Sequence, residues 1–167
     1  MKIILINPYG PFPNEGWRKY RNILLGDILA EHNHDVTWFT SKFSHHFKRN
    51  REKVYETGYK NFRIELINSK KYKKNISINR LLFEITFCIN LYYRLKKEDN
   101  VDLIIAADPS QFVGFLSTIL AKKFNSKLIL DLMDEWPELF DKAISSNFLK
   151  NSLSRTFLIN FFSIIKI

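Results

Sequence analysis

Short and long apolar stretches alternate along this chain, the short ones typical of β-strands and the long, periodic ones typical of amphipathic helices. The short stretches predict five strands, at Lys2–Ile6, Val36–Thr40, Phe62–Ile67, Asp102–Ala107 and Lys127–Leu132. The periodic stretches predict three helices, from about Gly16 to His32, from Ile78 to Lys97 and from Pro109 to about Phe124. Strands that alternate with helices form βαβ units, so we predict an α/β fold with a Rossmann-like, doubly wound, mainly parallel sheet flanked by helices.

The periodicity of the first two helices also predicts which faces meet the core. In the first helix these residues are Ile23, Leu24, Ile28 and Leu29. In the second helix they are Leu81, Leu82, Ile85, Ile89 and Leu91. The connection from Asn7 to Glu15 contains three prolines and Gly10, so we expect it to be stiff and non-helical. The stretch from Ser41 to Thr57 shows no period.

Large apolar residues lie on most sides of a last predicted helix, Leu149–Ile167. A helix of this kind is expected to be buried against another surface. Because neither a polar tail nor a further strand follows it, we expect residues 1–167 to form one Rossmann-like domain that is truncated at its C-terminal end. The alternative is that this helix docks on a partner or on a membrane surface.

Basic residues are concentrated in the middle of the chain. The formal net charge is +9, and the segment Lys42–Lys74 holds eleven Lys and Arg against three Glu, with aromatic residues between them. Such a surface suits anionic partners, namely nucleic acid, acidic lipid headgroups or a phosphorylated substrate, although it is also compatible with an ordinary solvated face. A single cysteine excludes an internal disulfide, and no run approaches the roughly 20 uncharged residues of a membrane span. We therefore expect a cytoplasmic protein.

Carboxylates gather at the end of the fifth predicted strand. Asp131 lies within the strand, where a buried carboxylate needs a partner, and Asp134 and Glu135 follow it. Side chains just past the carboxyl end of a parallel strand lie where open α/β sheets bind ligands. Asp134 and Glu135 are therefore candidates for a general base or for orienting substrate hydroxyls, or else for favourable charges at a helix N-terminus. Asp131, Asp134 and Glu138 match no metal-ligand spacing, so we expect no metal.

The first predicted strand is followed by a loop that could approach a ligand. This loop lacks both the G-x-G-x-x-G dinucleotide fingerprint and the G-x-x-x-x-G-K-[ST] phosphate loop. It contains Gly10 and then Gly16, which would let backbone approach a ligand at a helix N-terminus. Arg18 and Arg21, three residues apart, would share a helix face and pair with a phosphate, or they are solvent-facing arginines of an ordinary loop.

Asp108 follows the fourth predicted strand. It is either the N-cap of a helix that opens at Pro109 or a carboxylate of the site. The four histidines are expected to be surface residues.

Three segments together resemble the N-terminal half of a family 4 glycosyltransferase with the GT-B fold, of the kind that builds bacterial capsule and O-antigen. The first is the opening strand with its Pro/Gly loop and arginine-bearing helix. The second is the turn 31–37, Glu-His-Asn-His-Asp-Val-Thr, and the third is 131–138, Asp-Leu-Met-Asp-Glu-Trp-Pro-Glu, which is similar to the family's Asp-x-Arg-Asp-x-Trp-Pro-Glu. Met133 stands where the family has arginine, and Glu15-Gly16 stands where it has paired glycines.

The resemblance implies a domain that binds the acceptor in a sugar transfer. The donor would be a nucleotide-sugar, and the acceptor a lipid-linked saccharide on the inner face of the cell membrane, with no cofactor. It further implies that Asp134 and Glu135 face the cleft, with Gly10, Gly16, Arg18, Arg21, Asp108 and Asp131 near substrate. Because the donor-binding domain is absent, transfer would require it from a separate chain, and the basic segment Lys42–Lys74 would contact the anionic membrane.

Two other functional classes stay open at this point. One is a non-catalytic basic module that binds nucleic acid or an anionic membrane surface, although nucleic acid is not expected as the partner of a glycosyltransferase domain. The other is a small independent α/β enzyme that uses Asp134 and Glu135.

Overall fold

The computed structural model describes residues 1–75, 77–108 and 110–132, of which Met1–Asp131 belong to one structural unit. Its elements in chain order are β1 (Lys2–Ile6), α1 (Arg21–Glu31), β2 (Asp35–Ser41), β3 (Phe43–Ser44), β4 (Arg49–Asn50), β5 (Phe62–Ile67), α2 (Ile78–Leu95), β6 (Leu103–Asp108), α3 (Gln111–Phe124) and β7 (Lys127–Leu132). All five predicted strands and all three predicted helices within this range are present. Asp134, Glu135 and the predicted helix Leu149–Ile167 lie outside the described residues.

Five strands form one parallel sheet in the order β5-β2-β1-β6-β7. In the centre, Ile4 of β1 pairs with Thr37 of β2 on one side and with Ile104 of β6 on the other. The chain thus builds outwards from β1 to β2 and β5, and then returns to place β6 and β7 on the opposite side. This confirms the predicted Rossmann-like α/β fold.

The two faces of the sheet bury different sets of side chains, because successive residues of a strand point to opposite faces. Ile3 and Leu5 of β1 pack on the face covered by α1. Ile4 and Ile6 pack on the other face, which α2 and α3 cover. Helices on both faces make the fold doubly wound, and burial on both faces explains why the central strands are continuously apolar.

The connection between β1 and α1 differs from its prediction. Pro13–Glu15 form a short 3-10 turn, so the loop is not wholly non-helical, and Gly16 ends that turn with a left-handed φ of 85°. The helix begins five residues later than expected, at Arg21, after an extended Tyr20. The turn stops at Gly16 because a residue with positive φ cannot continue a right-handed helix.

Helix α2 buries a different face from the one predicted. Its buried residues are Phe83, Glu84, Phe87, Leu91 and Leu95. Of the five residues that the pattern assigned to the core, Leu91 is buried, Leu82 and Ile85 are half-buried, and Leu81 and Ile89 are exposed. The aromatic rings decide the orientation, since they bury more apolar area than the aliphatic side chains. Phe83 packs against Phe43 and Tyr72, which fixes the rotation of the helix.

The basic segment after β2 contains a small hairpin, in which Phe43 pairs with Asn50 and Ser44 with Arg49. Its strands are two residues each, too short to produce a period in the sequence. The part of the chain that the structure describes contains no helix that is long and apolar enough to cross a membrane.

Candidate functional site

The carboxyl ends of β1 and β6 are neighbours at the centre of the sheet, where the strand order reverses. In open α/β sheets this is the position at which the loops diverge and leave a crevice for a ligand. The residues that follow β1 are Asn7, Pro8 and Tyr9, and Ser110 stands two positions beyond the last residue of β6. The N-terminal half of α2 adds side chains to the same region, since α2 covers this face of the sheet.

A carboxylate from α2 connects these two loops. The hydroxyl of Tyr9 donates a hydrogen bond to Glu84 Oε1, and Ser110 Oγ donates one to Glu84 Oε2 at 2.9 Å. Ser110 is the N-cap residue of α3, but its hydroxyl makes no capping bond because it is directed at the carboxylate instead. Arg80, one turn before Glu84, places its Nε 3.9 Å from Oε1 and its guanidinium 5.6 Å from the centre of the Tyr9 ring. We call these four residues the Glu84 cluster.

The hairpin β3–β4 places a second polar group beside the Glu84 cluster. The ring of His45 lies 5.3 Å from that of Tyr9, edge to face, and the Tyr72 hydroxyl is hydrogen-bonded to His45 Nδ1. Lys48 Nζ lies 3.4 Å from the same nitrogen and 4.3 Å from the centre of the Tyr72 ring. The Lys48 ammonium can only donate, so Nδ1 acts as the acceptor and the neutral imidazole carries its proton on Nε2.

Burial and neighbouring charges shift the pKa values of Tyr9, Tyr72 and His45 away from neutral pH. Burial raises the pKa of Tyr9 far above its usual value, and the neighbouring Glu84 raises it further. Burial also raises the pKa of Tyr72 to about 12. Burial lowers the pKa of His45 to about 4, and Lys48, His46 and Arg80 add to this effect. Near pH 7 both phenols are protonated donors and His45 is neutral. The region is therefore suited to bind polar and anionic groups rather than to exchange protons through these three side chains.

A buried arginine holds the loop that presents Tyr9. Arg51 donates to the carbonyl oxygens of Gly10, at 2.6 Å from Nη2, and of Ser41. Its Nε donates to Glu15 Oε1 at 3.0 Å, and its guanidinium lies 4.2 Å from the centre of the Phe12 ring. Arg51 belongs to the predicted basic surface, but its side chain is only 1% exposed. It therefore links β2 to the loop and is not part of a solvent-facing patch.

The loop is further fixed by Asn7 at its start. Asn7 Oδ1 accepts from the backbone N–H of Tyr9 at 2.9 Å, and Nδ2 donates to Asn22 Oδ1 of α1 at 2.8 Å. The indole N–H of Trp38 donates to the Asn7 carbonyl at 3.3 Å. These bonds occupy both ends of the Asn7 side chain and hold Tyr9 in place.

Two of the predicted site residues form an ion pair with one another. Arg21 Nη2 lies 2.5 Å from Asp131 Oδ1, so the partner that Asp131 requires is the first residue of α1. The sequence did not indicate this pairing, because the residues are far apart in the chain. Arg18 lies in the loop before α1 and is exposed, so the expectation that Arg18 and Arg21 share a helix face is wrong.

The two predicted loop glycines serve the fold in different ways. A Cβ on Gly10 would lie 2.4 Å from Trp38 Cζ2, so this position has no space for a side chain. Gly16 is required by its positive φ, and a Cβ there would meet nothing within 4 Å. It does not stand at the N-terminus of α1, so the expectation that Gly16 opens this helix is wrong, whereas an approach of a ligand to the loop at Gly16 stays a prediction.

Asp108 is the last residue of β6. The helix that follows opens at Gln111 with Ser110 as its N-cap, so the interpretation of Asp108 as the cap is wrong. Its position at the carboxyl end of a central strand remains compatible with the site. Asp134 and Glu135, the predicted catalytic pair, lie outside the described residues. Within ranges 1–75, 77–108 and 110–132, no three His, Cys, Asp or Glu side chains are grouped so that they could hold a metal ion.

Sequence reasoning missed all four residues of the Glu84 cluster and took His45 for a surface residue. One signal was available for Glu84. Phe83, Phe87, Leu91 and Leu95 recur every four residues, and this stripe places Glu84 on the buried side of α2. An acidic residue on the core side of an amphipathic helix indicates a specific partner.

Comparisons with known proteins bear on the fold alone. No family model and no curated protein match the sequence. The crystal structure of the C-terminal domain of the PF1911 hydrogenase from Pyrococcus furiosus is similar, with a TM-score of 0.50 and 17% sequence identity. The similarity covers 78% of this chain and 90% of that one. It agrees with a Rossmann-like α/β fold.

Proposed function

We propose that this domain binds the acceptor in a family 4-like glycosyltransferase, which transfers a sugar from a nucleotide-sugar to a lipid-linked or saccharide acceptor in surface polysaccharide synthesis. The observation that carries the proposal is the Glu84 cluster at the carboxyl ends of β1 and β6. The resemblance of residues 131–138 to the family's motif supports it independently. The domain would act at the cytoplasmic face of the membrane, where nucleotide-sugars are available.

The chemistry of the cluster suits a sugar attached to phosphate. Carboxylates and hydroxyls hydrogen-bond sugar hydroxyls in both directions, because a hydroxyl can donate and accept at once. Glu84, Tyr9 and Ser110 supply these groups. Arg80 and Lys48 supply positive charge beside them, as a diphosphate requires. Because Tyr9 and His45 do not titrate near neutral pH, we assign this region to binding and leave the general base to Asp134 or Glu135.

Binding of an acceptor analogue tests this assignment without a donor domain. The probe is a short-chain prenyl diphosphate that carries one N-acetylhexosamine, titrated into the full chain by calorimetry. Glu84→Gln keeps the shape of the side chain but removes its charge, and hydrogen bonds to charged groups are worth about 1.5–3 kcal/mol. We therefore expect Kd to rise at least about tenfold.

The matched control is Glu65→Gln on β5. Glu65 is also a paired carboxylate, but its partner is Arg94 and it is not part of the Glu84 cluster. The Glu65→Gln variant should bind the probe with the same Kd as the unmodified chain. Equal affinity of the two variants, or no saturable binding by the unmodified chain, would contradict the proposed role.

The transfer reaction needs a second experiment. Because the resemblance implies that a donor domain takes part in transfer, the assay mixes this chain and a candidate donor domain with membrane lipid extract and a panel of nucleotide-sugars. Transfer that requires both chains and is lost in Glu84→Gln supports the proposal. Acceptor binding without transfer under any combination would limit the function to a binding module.

A further inference from the structure

Helix α2 carries a second apolar face, opposite the one that it buries in the core. At 100° per residue, the buried stripe of Phe83, Phe87, Leu91 and Leu95 leaves an outward stripe on the other side of the helix. We call this outward stripe the α2 outer face; its residues are Ile78, Leu81, Leu82, Ile85, Ile89, Tyr92 and Tyr93. Ile78 is 77% exposed, Leu81 46% and Ile89 49%. A surface helix normally presents polar residues on the side that faces away from the core. Because these apolar side chains are exposed, packing within the described part of the chain does not explain this stripe.

A lysine-rich loop lies directly beside the α2 outer face. The backbone N–H of Lys70 donates to Thr86 Oγ1 at 2.9 Å, and Asn90 Nδ2 donates to the Asn68 carbonyl at 2.9 Å. Tyr72, further along the loop, packs on Phe83 with ring centres 5.2 Å apart. Residues 68–75 therefore run back along the flank of α2 towards the N-terminus of the helix.

The loop beside the stripe carries a concentration of positive charge. Four exposed lysines belong to it, and none makes an ion pair with a carboxylate among the described residues: Lys70, Lys71, Lys73 and Lys74. At the opposite end of α2 the exposed Lys96 places its Nζ 4.6 Å from the centre of the Tyr93 ring. Basic charge thus flanks the stripe at one side and at both ends.

We propose that the α2 outer face lies in the plane of an anionic phospholipid surface, with its aliphatic side chains in the headgroup and acyl boundary and the neighbouring lysines on lipid phosphates. Interfacial helices combine a large apolar face with lysines that bind acidic lipid. Tyrosines prefer the membrane interface, because their rings are apolar and their hydroxyls are polar. Eighteen residues give a helix about 27 Å long, which allows several turns to insert together.

Charge favours a lipid surface over a second copy of this chain. A second copy would bring these lysines against their own copies, whereas an anionic bilayer neutralises them. The surface also differs from the one expected from the whole segment Lys42–Lys74. Arg51 of that segment is buried against Glu15, and Arg63 pairs with Asp35. The charge that we assign to lipid binding is that of the loop beside α2.

Vesicle flotation of the full chain tests the proposal, because bound protein rises with the vesicles and aggregated protein sinks. The vesicles are phosphatidylcholine with and without phosphatidylglycerol, at low and high salt. We expect flotation only with phosphatidylglycerol and less of it at high salt. The substitution pair Leu81→Gln and Ile89→Gln should weaken partitioning at least about tenfold, because two inserted side chains lose their apolar burial.

Two controls match these changes. Leu24→Gln and Ile28→Gln alter residues of α1 that are 48% and 54% exposed but lie on the opposite side of the sheet, and they should leave flotation unchanged. Lys73→Gln with Lys74→Gln should weaken binding and reduce its salt dependence, whereas Lys53→Gln with Lys60→Gln should do neither. Far-UV circular dichroism checks that each variant remains folded.

Three results would overturn the proposal. The first is that the chain does not float with anionic vesicles. The second is that the α1 pair and the α2 pair of substitutions reduce flotation equally. The third is that light scattering shows a dimer, which Leu81→Gln and Ile89→Gln dissociate, while vesicles bind neither the dimer nor the dissociated chain. The assay contains no sugar, so it is independent of the proposed acceptor binding.

Discussion

Removal of the Arg51 side chain should destabilise the domain far more than removal of an exposed arginine. In Arg51→Met the apolar stem is retained, but the guanidinium is lost. The carbonyl oxygens of Gly10 and Ser41 then lose their donor, and the carboxylate of Glu15 loses its ion-pair partner. All three acceptors lie in or beside the loop that presents Tyr9.

The size of the effect follows from the burial of the pair. Breaking a buried ion pair by removing one partner costs about 3–5 kcal/mol, because the other charge stays desolvated. The Glu15 side chain is 14% exposed, so some water reaches it and the lower end of this range, about 3 kcal/mol, applies. A domain of this size loses about 2–4 °C in Tm per kcal/mol, so we expect a fall of about 6–12 °C.

Urea denaturation followed by tryptophan fluorescence measures this loss. The control is Arg63→Met, which breaks an exposed pair with Asp35 whose side chains are 53% and 45% exposed. Exposed pairs contribute about 0–1 kcal/mol, so the control should differ little from the unmodified domain. Equal destabilisation by the two substitutions would refute the conclusion that Arg51 holds the loop.

Three further predictions concern other single residues. The pKa of His45 is about 4 in the folded state against an ordinary value of 6.5, so the unfolded chain binds the proton first and stability falls as pH drops from about 6.5 to 4. We expect the free energy of unfolding to fall by about 1–2 kcal/mol, a reduced value because the ring is only half-buried. In His45→Gln the free energy of unfolding from urea denaturation should depend less on pH between 7 and 4.5. Gly26→Ala should lower Tm by several degrees although alanine favours helices, because the added Cβ would lie 2.2 Å from Phe62 Cζ. Gly58→Ala places its Cβ in open space and should leave Tm unchanged. Burial raises the pKa of the Cys88 thiol to about 12, so iodoacetamide should label it at pH 8 only after denaturation.

The strands were predictable because their signal is local. A strand buried on both faces is apolar throughout, as β1 is. The edge strands β5 and β7 also begin and end where the predicted runs do, although they are less buried. The alternation of strand and helix then leaves few topologies, since parallel strands require crossovers of one hand. The fold class could therefore be predicted from the chain without knowledge of any contact.

The candidate site was less accessible because its residues are joined by long-range contacts. Glu84 meets Tyr9 and Ser110 only after α2 takes its place on the sheet. His45 and Tyr72 come together through a hairpin of two-residue strands that has no periodicity. The residues that the pattern did select were those next to strand ends, such as Asp108 and Asp131, because position along a strand is a local property.

The sequence pattern and the structure assign different faces of α2 to the core, and two alanine substitutions distinguish between them. The pattern assigned both Leu81 and Leu91 to the core, but Leu91 is fully buried and Leu81 is about half exposed. Leu91→Ala should therefore cost about 3 kcal/mol, as a leucine truncated in a packed core does. Leu81→Ala on the same helix should change the free energy of unfolding by less than about 0.5 kcal/mol. If both substitutions cost the same, α2 is rotated towards the predicted face, and Leu81 and Ile89 are unavailable to a membrane. A large difference between the two costs would instead show that the exposed aliphatic face of α2 does not stabilise the described core. A contact outside that core would then explain why this face is apolar.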